Sequence, residues 1–255
     1  MTARRRGAGT HPLVWVPALV VALVMVVPVV HLVLAASELG SATVLAELAS
    51  ARSLGLVRRT IGLALAVTAA SVLLAVPIAW LTVRTDLPAR RWFAIATALP
   101  LVVPTYVGAY ALIAAVAPGG LIESVTGLPG VRPYGFWGAF GALTVFASPY
   151  VLVTVQAALA GLDPTLEDAS RTLGRGRWQT FLTVTLPALR PATAAGALLV
   201  ALYVVSDFGA VSMLRYPTLT RAIHVEYRAS FDRSRIALLG LLLVAMTVVL
   251  LVSEA

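Results

Sequence analysis

The sequence predicts an all-α membrane protein of six transmembrane helices, with a cytoplasmic loop of two short helices between the fourth and the fifth. Three observations carry this prediction. Of the 255 residues, 60% are hydrophobic and 12% charged, and the mean hydropathy is +0.93, a balance that leaves too little charge to keep a soluble surface in water. Apolar runs long enough to span a bilayer recur six times, since a hydrocarbon core of about 30 Å takes roughly 20 helical residues. The connections between these runs are short and polar, and none has the composition of a water-soluble domain.

In chain order, residues 1–12 form a tail carrying Arg4, Arg5 and Arg6, and residues 13–255 form one transmembrane domain. The apolar run at 13–36 is much longer than the roughly 7–15 residues of a cleaved leader, so it is expected to remain as the first span. The others cover 61–83, 92–117, 136–160, 192–214 and 236–252, joined by polar segments at 38–59, 84–91, 118–135, 161–191 and 215–235. Pro28, Pro77, Pro100, Pro104 and Pro149 fall inside spans, where each removes a backbone donor and bends its helix. With the N-terminus inside, the cytoplasmic side holds Arg4, Arg5, Arg6, Arg84, Arg90, Arg91, Arg171, Arg175, Arg177 and Arg190, and the outer side holds Arg52, Arg58, Arg59, Arg132, Arg215, Arg221, Arg228, Arg233 and Arg235. The two sets are nearly equal, so the triplet before the first helix sets the expected orientation.

Composition also excludes. The net charge of +8 comes from arginines scattered among apolar runs, without the dense basic patch and interleaved aromatics of a nucleic-acid surface. There is no cysteine, hence no disulfide and no thiolate metal site. His31 has no second ligand at helical spacing, and His224, with Glu226 and Tyr227 in an outer loop, reads as charged surface and not as an iron site, so no metal site is expected. A membrane-embedded enzyme would need a clustered polar set near one interface, and no catalytic constellation is visible. A proton-coupled secondary transporter would carry several buried acids and an inverted repeat, whereas Asp207 is the one acid deep in a span and no repeat is seen.

The most informative stretch is the fourth loop. Asp163 suits an N-cap, Pro164 a first helical position, Glu167 and Asp168 the positive end of the helix dipole, and Gly174 a left-handed stop. Leu166, Ala169, Ser170 and Leu173 recur at helical spacing on one small, apolar face. A second helix follows with Trp178, Phe181, Leu182 and Thr185 on one face, and Pro187 is expected to end it. Such a pair offers a ridge to a partner.

This loop resembles the cytoplasmic signature of permease subunits of binding-protein-dependent ABC importers: Glu-Ala-Ala, three residues, Gly, nine residues, then Ile-x-Leu-Pro. It stands here as Asp168-Ala169-Ser170, Gly174, and Val184-Thr185-Leu186-Pro187. Asp replaces Glu, Ser replaces the second Ala, and Val replaces Ile. Leu81-Thr82-Val83-Arg84-Thr85-Asp86-Leu87-Pro88, Leu99-Pro100-Leu101-Val102-Val103-Pro104-Thr105-Tyr106, and Leu202 to Val211 through Ser206-Asp207-Phe208-Gly209 look like the ferric-iron branch. Members of that branch commonly carry two six-helix units in one polypeptide, and this sequence looks like the first, so it is expected to be a half or a fragment.

The resemblance implies a multi-pass protein of the bacterial cytoplasmic membrane whose partners are an ABC ATPase, an extracytoplasmic binding protein and a second permease unit. Glu167, Asp168, Ala169, Ser170, Gly174, Leu186 and Pro187 would form the ATPase-coupling core. No Gly-x-x-x-x-Gly-Lys-Ser/Thr phosphate loop is present, so ATP would be bound by the partner and no cofactor by this chain. Tyr203, Ser206 and Asp207 are candidates for the translocation pathway, with a structural acid as the competing reading of Asp207. Arg221, His224, Glu226 and Arg228 are candidates for binding-protein contact. Ferric iron is the cargo the resemblance favours, with thiamine or polyamine as alternatives of the same architecture.

Overall fold

The computed structural model describes residues 12–86, 88–229 and 232–253; Arg4, Arg5, Arg6 and His11 of the expected tail lie outside them. Among the described residues the regular structure is helical throughout. Helix α1 (Pro12–Ser37) carries Trp15, Leu19, Leu23 and Met25 more than half exposed, and only near its end is Ala36 buried, against Ala237 and Leu238. Such a helix, apolar all round, has lipid as its solvent. A short α2 (Ser41–Leu48) follows, then α3 (Ala51–Arg84).

The segment at 38–59, expected as a loop, is therefore largely helical. The Ser50 hydroxyl accepts from the Ser53 amide at 3.1 Å and starts α3 ten residues before its apolar run. At 34 residues, α3 is about 51 Å long, and its first turns project past the hydrocarbon.

The third span differs most from expectation. Instead of one helix over 92–117, the chain forms α4 (Arg90–Ala98), a 3₁₀ turn (Leu99–Val102) and α5 (Thr105–Val116), followed by α6 (Leu121–Thr126). Pro100 and Pro104 supply no amide, and Val103, before Pro104, is extended at φ −87 and ψ 121, as a residue preceding proline prefers. The apolar helical stretch that meets a spanning criterion runs from Thr105 to Thr126.

Helix α7 (Phe136–Gly161) matches the fourth predicted span within one residue. Beyond it come α8 (Thr165–Thr172), α9 (Arg177–Thr180), a π-helical turn (Phe181–Thr185) and α10 (Leu186–Ala188), which bend by 66° into α11 (Arg190–Ser206). Pro187 does not end the second short helix; it lies in its last turn, after the widened π turn. The fifth predicted span, 192–214, is broken at Asp207 and Phe208, and α12 (Gly209–Met213) resumes beyond. The last polar segment holds α13 (Leu219–Ala229), and α14 (Arg233–Val252) closes the bundle with Asp232 accepting from the Arg235 amide at 3.2 Å. Among the described residues five helices suffice in length and hydropathy to cross a membrane, six when the bent pair ending in α11 counts as one.

The core lies where α3 runs along α7 and α11 packs on both. Leu63, Val67, Leu143, Val151, Val155, Val200 and Val204 are buried there. Thr60, Thr82 and Thr154 return their hydroxyls to carbonyls four residues back at 2.9, 2.9 and 3.1 Å, which lets them sit inside without an orphan donor. Gly196 lets α11 close on α7: a Cβ there would stand 2.5 Å from Thr154 Oγ1 and 2.9 Å from Val151 Cα. Gly196→Val is expected to destabilise the bundle by about 2 kcal/mol through overpacking, read as a lower thermal unfolding midpoint in detergent; an unchanged midpoint contradicts this packing.

Candidate functional site

The loop between α7 and α11 begins with Asp163, whose Oδ1 accepts from the Thr165 amide at 2.9 Å. That bond holds the exposed carboxyl below its ordinary pKa. Helix α8 starts one residue later than the sequence suggests, with Glu167 and Asp168 in its first turn. It stops at Gly174, φ +83, where the Gly174 amide donates to Arg171 O at 2.9 Å and the Arg175 amide to Ser170 O at 3.3 Å. This pair of bonds is a Schellman stop, and the left-handed residue it needs is supplied by glycine.

The face expected to hold Leu166, Ala169, Ser170 and Leu173 together is divided. Leu166, Ala169 and Leu173 point to solvent, whereas Ser170 is turned inward beside Glu167. The second helix divides likewise: Phe181 and Thr185 are buried, Trp178 and Leu182 exposed. Leu166, Leu173, Trp178 and Leu182 are thus apolar side chains exposed on a polar loop.

The inner surface is polar and paired. Glu167, 5% exposed, accepts from Thr185 Oγ1 at 3.0 Å and faces Arg84 Nε at 3.3 Å. Arg84 also donates through Nη2 to Leu162 O at 2.9 Å. Ser170 and Thr180 share a hydroxyl bond at 3.1 Å, and Phe181 packs on Trp80 of α3 with ring centroids 5.0 Å apart. Arg171 also stands 3.9 Å from Glu167 Oε2, and as far from Asp168, which is exposed. Leu186 and Pro187 are half-buried where the loop meets the core. The sequence reading placed Arg84 on the cytoplasmic side and in the Leu81–Pro88 stretch but gave it no role at the loop.

At the break after α11, Asp207 is 8% exposed. Its Oδ1 accepts from the Ala210 and Val211 amides at 3.0 and 3.3 Å, and its Oδ2 from Thr105 Oγ1 at 2.7 Å. Thr220 Oγ1 donates to its carbonyl at 2.7 Å. The carboxylate therefore caps α12 and ties it to the start of α5, aimed at protein groups. Tyr203, half-buried, packs against Tyr150 with ring centroids 5.1 Å apart, and Ser206 is exposed and donates to Tyr203 O at 3.0 Å. The three residues named together from sequence do lie together at the end of α11.

Arg221, His224, Glu226 and Arg228 all fall on α13. Glu226 pairs with Arg52 of α3 at 2.6 Å, and the His224 ring packs on Phe208 at 4.7 Å. Arg52, Arg59 and Arg221 line a cleft of about 320 Å³ between α3 and α13. Among the described residues no cluster of three His, Cys, Asp or Glu is placed to hold a metal ion.

Residues 71–254 match the family model described as "Binding-protein-dependent transport system inner membrane component". The chain is 32% identical over 246 residues to the Fe(3+)-transport system permease protein FbpB 2 of Haemophilus influenzae, covering 96% of this chain and 46% of that protein, so it spans about half of that relative's length. It is 36% identical over 154 residues to the molybdenum transport system permease protein ModB of Escherichia coli K12, covering 58% of this chain and 67% of that one. Its fold is similar to a chain of a bacterial alginate ABC transporter solved with an alginate pentasaccharide-bound periplasmic protein, with a TM-score of 0.74, 15% identity, and coverage of 94% and 92% of the two chains.

Asp207→Ala strips two amides and a hydroxyl of their acceptor and is expected to cost about 1–3 kcal/mol, seen as a lowered unfolding midpoint. Asp207→Asn keeps an acceptor for the amides and stays near the wild type. Equal midpoints for both variants contradict the capping role.

Proposed function

This chain belongs to the family of binding-protein-dependent transport system inner membrane components, and from that premise we propose that it is the membrane-spanning permease of an ATP-driven importer. The observation that carries the reading is the two-faced loop between α7 and α11. Its apolar side chains, Leu166, Leu173, Trp178 and Leu182, are exposed, while Glu167 ties the loop to α3 and Ser170 joins its two short helices through Thr180. An exposed apolar ridge on a stiff support suits a partner that moves it, and the partner proposed is an ABC ATPase in the cytoplasm. Asp168 and Ala169 stand on the outward side of this elbow, Gly174 makes its turn, and Leu186 and Pro187 join it to the core.

On the opposite face, Arg221, His224 and Arg228 of α13, with Glu226 held by Arg52, form the surface offered to an extracytoplasmic binding protein. A second permease unit, from the same polypeptide or another, completes the pathway, to which Tyr203 and Ser206 are the candidates from α11. Asp207 shapes the pathway by fixing the break between α11 and α12. ATP is bound by the partner.

The cargo proposed is ferric iron, supported by the relative matched along 96% of this chain. A second reading, an oxyanion such as molybdate, is favoured by the arginine-lined outer cleft and by the molybdenum permease relative. Uptake of labelled ferric iron and labelled molybdate into cells with and without the gene separates them. Iron uptake is expected to depend on the chain, and dependence of molybdate alone transfers the assignment to the second reading.

Gly174→Val forces a β-branched residue to φ +83 and is expected to misplace the ridge, abolishing copurification of the ATPase from membranes. Leu173→Glu, at an exposed position, is expected to do the same with the bundle intact. Retention of the ATPase by both variants overturns the docking role of the loop.

A further inference from the structure

The loop is joined covalently to α7 and α11, yet its ionic tie is to a third helix. Arg84 ends α3, and one guanidinium grips both sides of the hinge at 162–164: Nη2 donates to Leu162 O at 2.9 Å before it, and Nε faces Glu167 at 3.3 Å after it. Both partners are shielded, with side chains 14% and 6% exposed, so neither water nor salt screens the pair as on a surface. Glu167 is also the acceptor for Thr185 of the π turn at 3.0 Å. Both short arms of the elbow therefore converge on one carboxylate that α3 holds.

Helix α3 is one of the two long helices at the centre of the core. It packs along α7 and against α11, and its far end is also tied to another helix. Thr60 Oγ1 accepts from the Leu219 amide at 3.0 Å, and Arg52 pairs with Glu226 at 2.6 Å, both on the helix proposed to face the binding protein. A displacement of the elbow delivered to Arg84 reaches α13 along a single helix.

We propose that the Arg84–Glu167 pair is the joint through which movement of the loop enters the bundle, with Arg84 as a positioning residue for transport. This rests on the importer reading, and the two fail differently. Glu167 faces away from the apolar ridge, so breaking the joint leaves the ATPase docked and hydrolysing while its strokes no longer move α3.

The test uses the assembled transporter, with its ATPase and binding protein, in proteoliposomes, measuring ATP hydrolysis and cargo uptake on the same sample. Glu167→Gln and Arg84→Gln are expected to keep hydrolysis while uptake per ATP falls about tenfold. The swapped pair R84E/E167R is expected to recover part of that loss, because it restores the opposite charges but neither the bond to Leu162 O nor the Glu167–Arg171 contact. Arg84→Lys, which keeps the charge but lacks the two-armed reach, is expected to be intermediate and serves where the Gln variants do not accumulate. A wild-type ratio of uptake to hydrolysis in Arg84→Lys and in whichever Gln variant accumulates overturns the proposal, as does a swapped pair that hydrolyses ATP but stays as uncoupled as the single variants. Loss of the ATPase from the complex on Glu167→Gln also overturns it, by assigning Glu167 to docking.

Discussion

A backbone amide or carbonyl in the hydrocarbon core has no water to bond to, so every interruption of a helix there has to find its partners inside the protein. That constraint organises this molecule. Where α11 stops at Ser206, the amides that open α12 would be orphans, and the Asp207 carboxylate takes two of them and the Thr105 hydroxyl as well. Thr105 stands just after the Pro104 break in the third span. Two irregular points from distant parts of the sequence thus satisfy each other, and a buried acid becomes the means of keeping two helices broken at one depth.

At the inner surface, where the elbow leaves the bundle, buried charge is met by charge and not by a full set of hydrogen bonds: Arg84 Nε makes none. Glu167 and Arg84 neutralise one another at 3.3 Å, and Thr185 and the Leu162 carbonyl take up further bonding capacity. A buried charge left alone is strongly destabilising, so such a pair persists only when its geometry is held from several sides. The outer side of the elbow is free of this demand and carries apolar residues. The contrast between the two sides gives the loop a support and a face, and a functional reading follows from the contrast more than from any one residue.

The spans of a bilayer protein are legible because about 20 apolar residues have few other uses, and α1, α7 and α14 fall close to where hydropathy puts them. Interruptions were less legible. Pro100 and Pro104 were read as bends, but a bend and a break differ by whether a neighbouring segment offers bonds, and that segment lies more than a hundred residues away. The elbow shows the same limit: spacing placed Leu166, Ala169, Ser170 and Leu173 on one stripe, while contact with Thr180 drew Ser170 inward and left the leucines out.

The sequence by itself determined the solvent of this protein, the places of α1, α7 and α14, and the turn at Gly174, because hydropathy and the conformational freedom of glycine are local properties. Only the tertiary structure decided which of two adjacent acids, Glu167 or Asp168, is buried, that Arg84 is its counter-ion, and that Asp207 caps a helix. Each of those is a contact between residues far apart along the chain, and the strength of an ionic or capping bond depends on a distance of a few ångströms that no local pattern encodes.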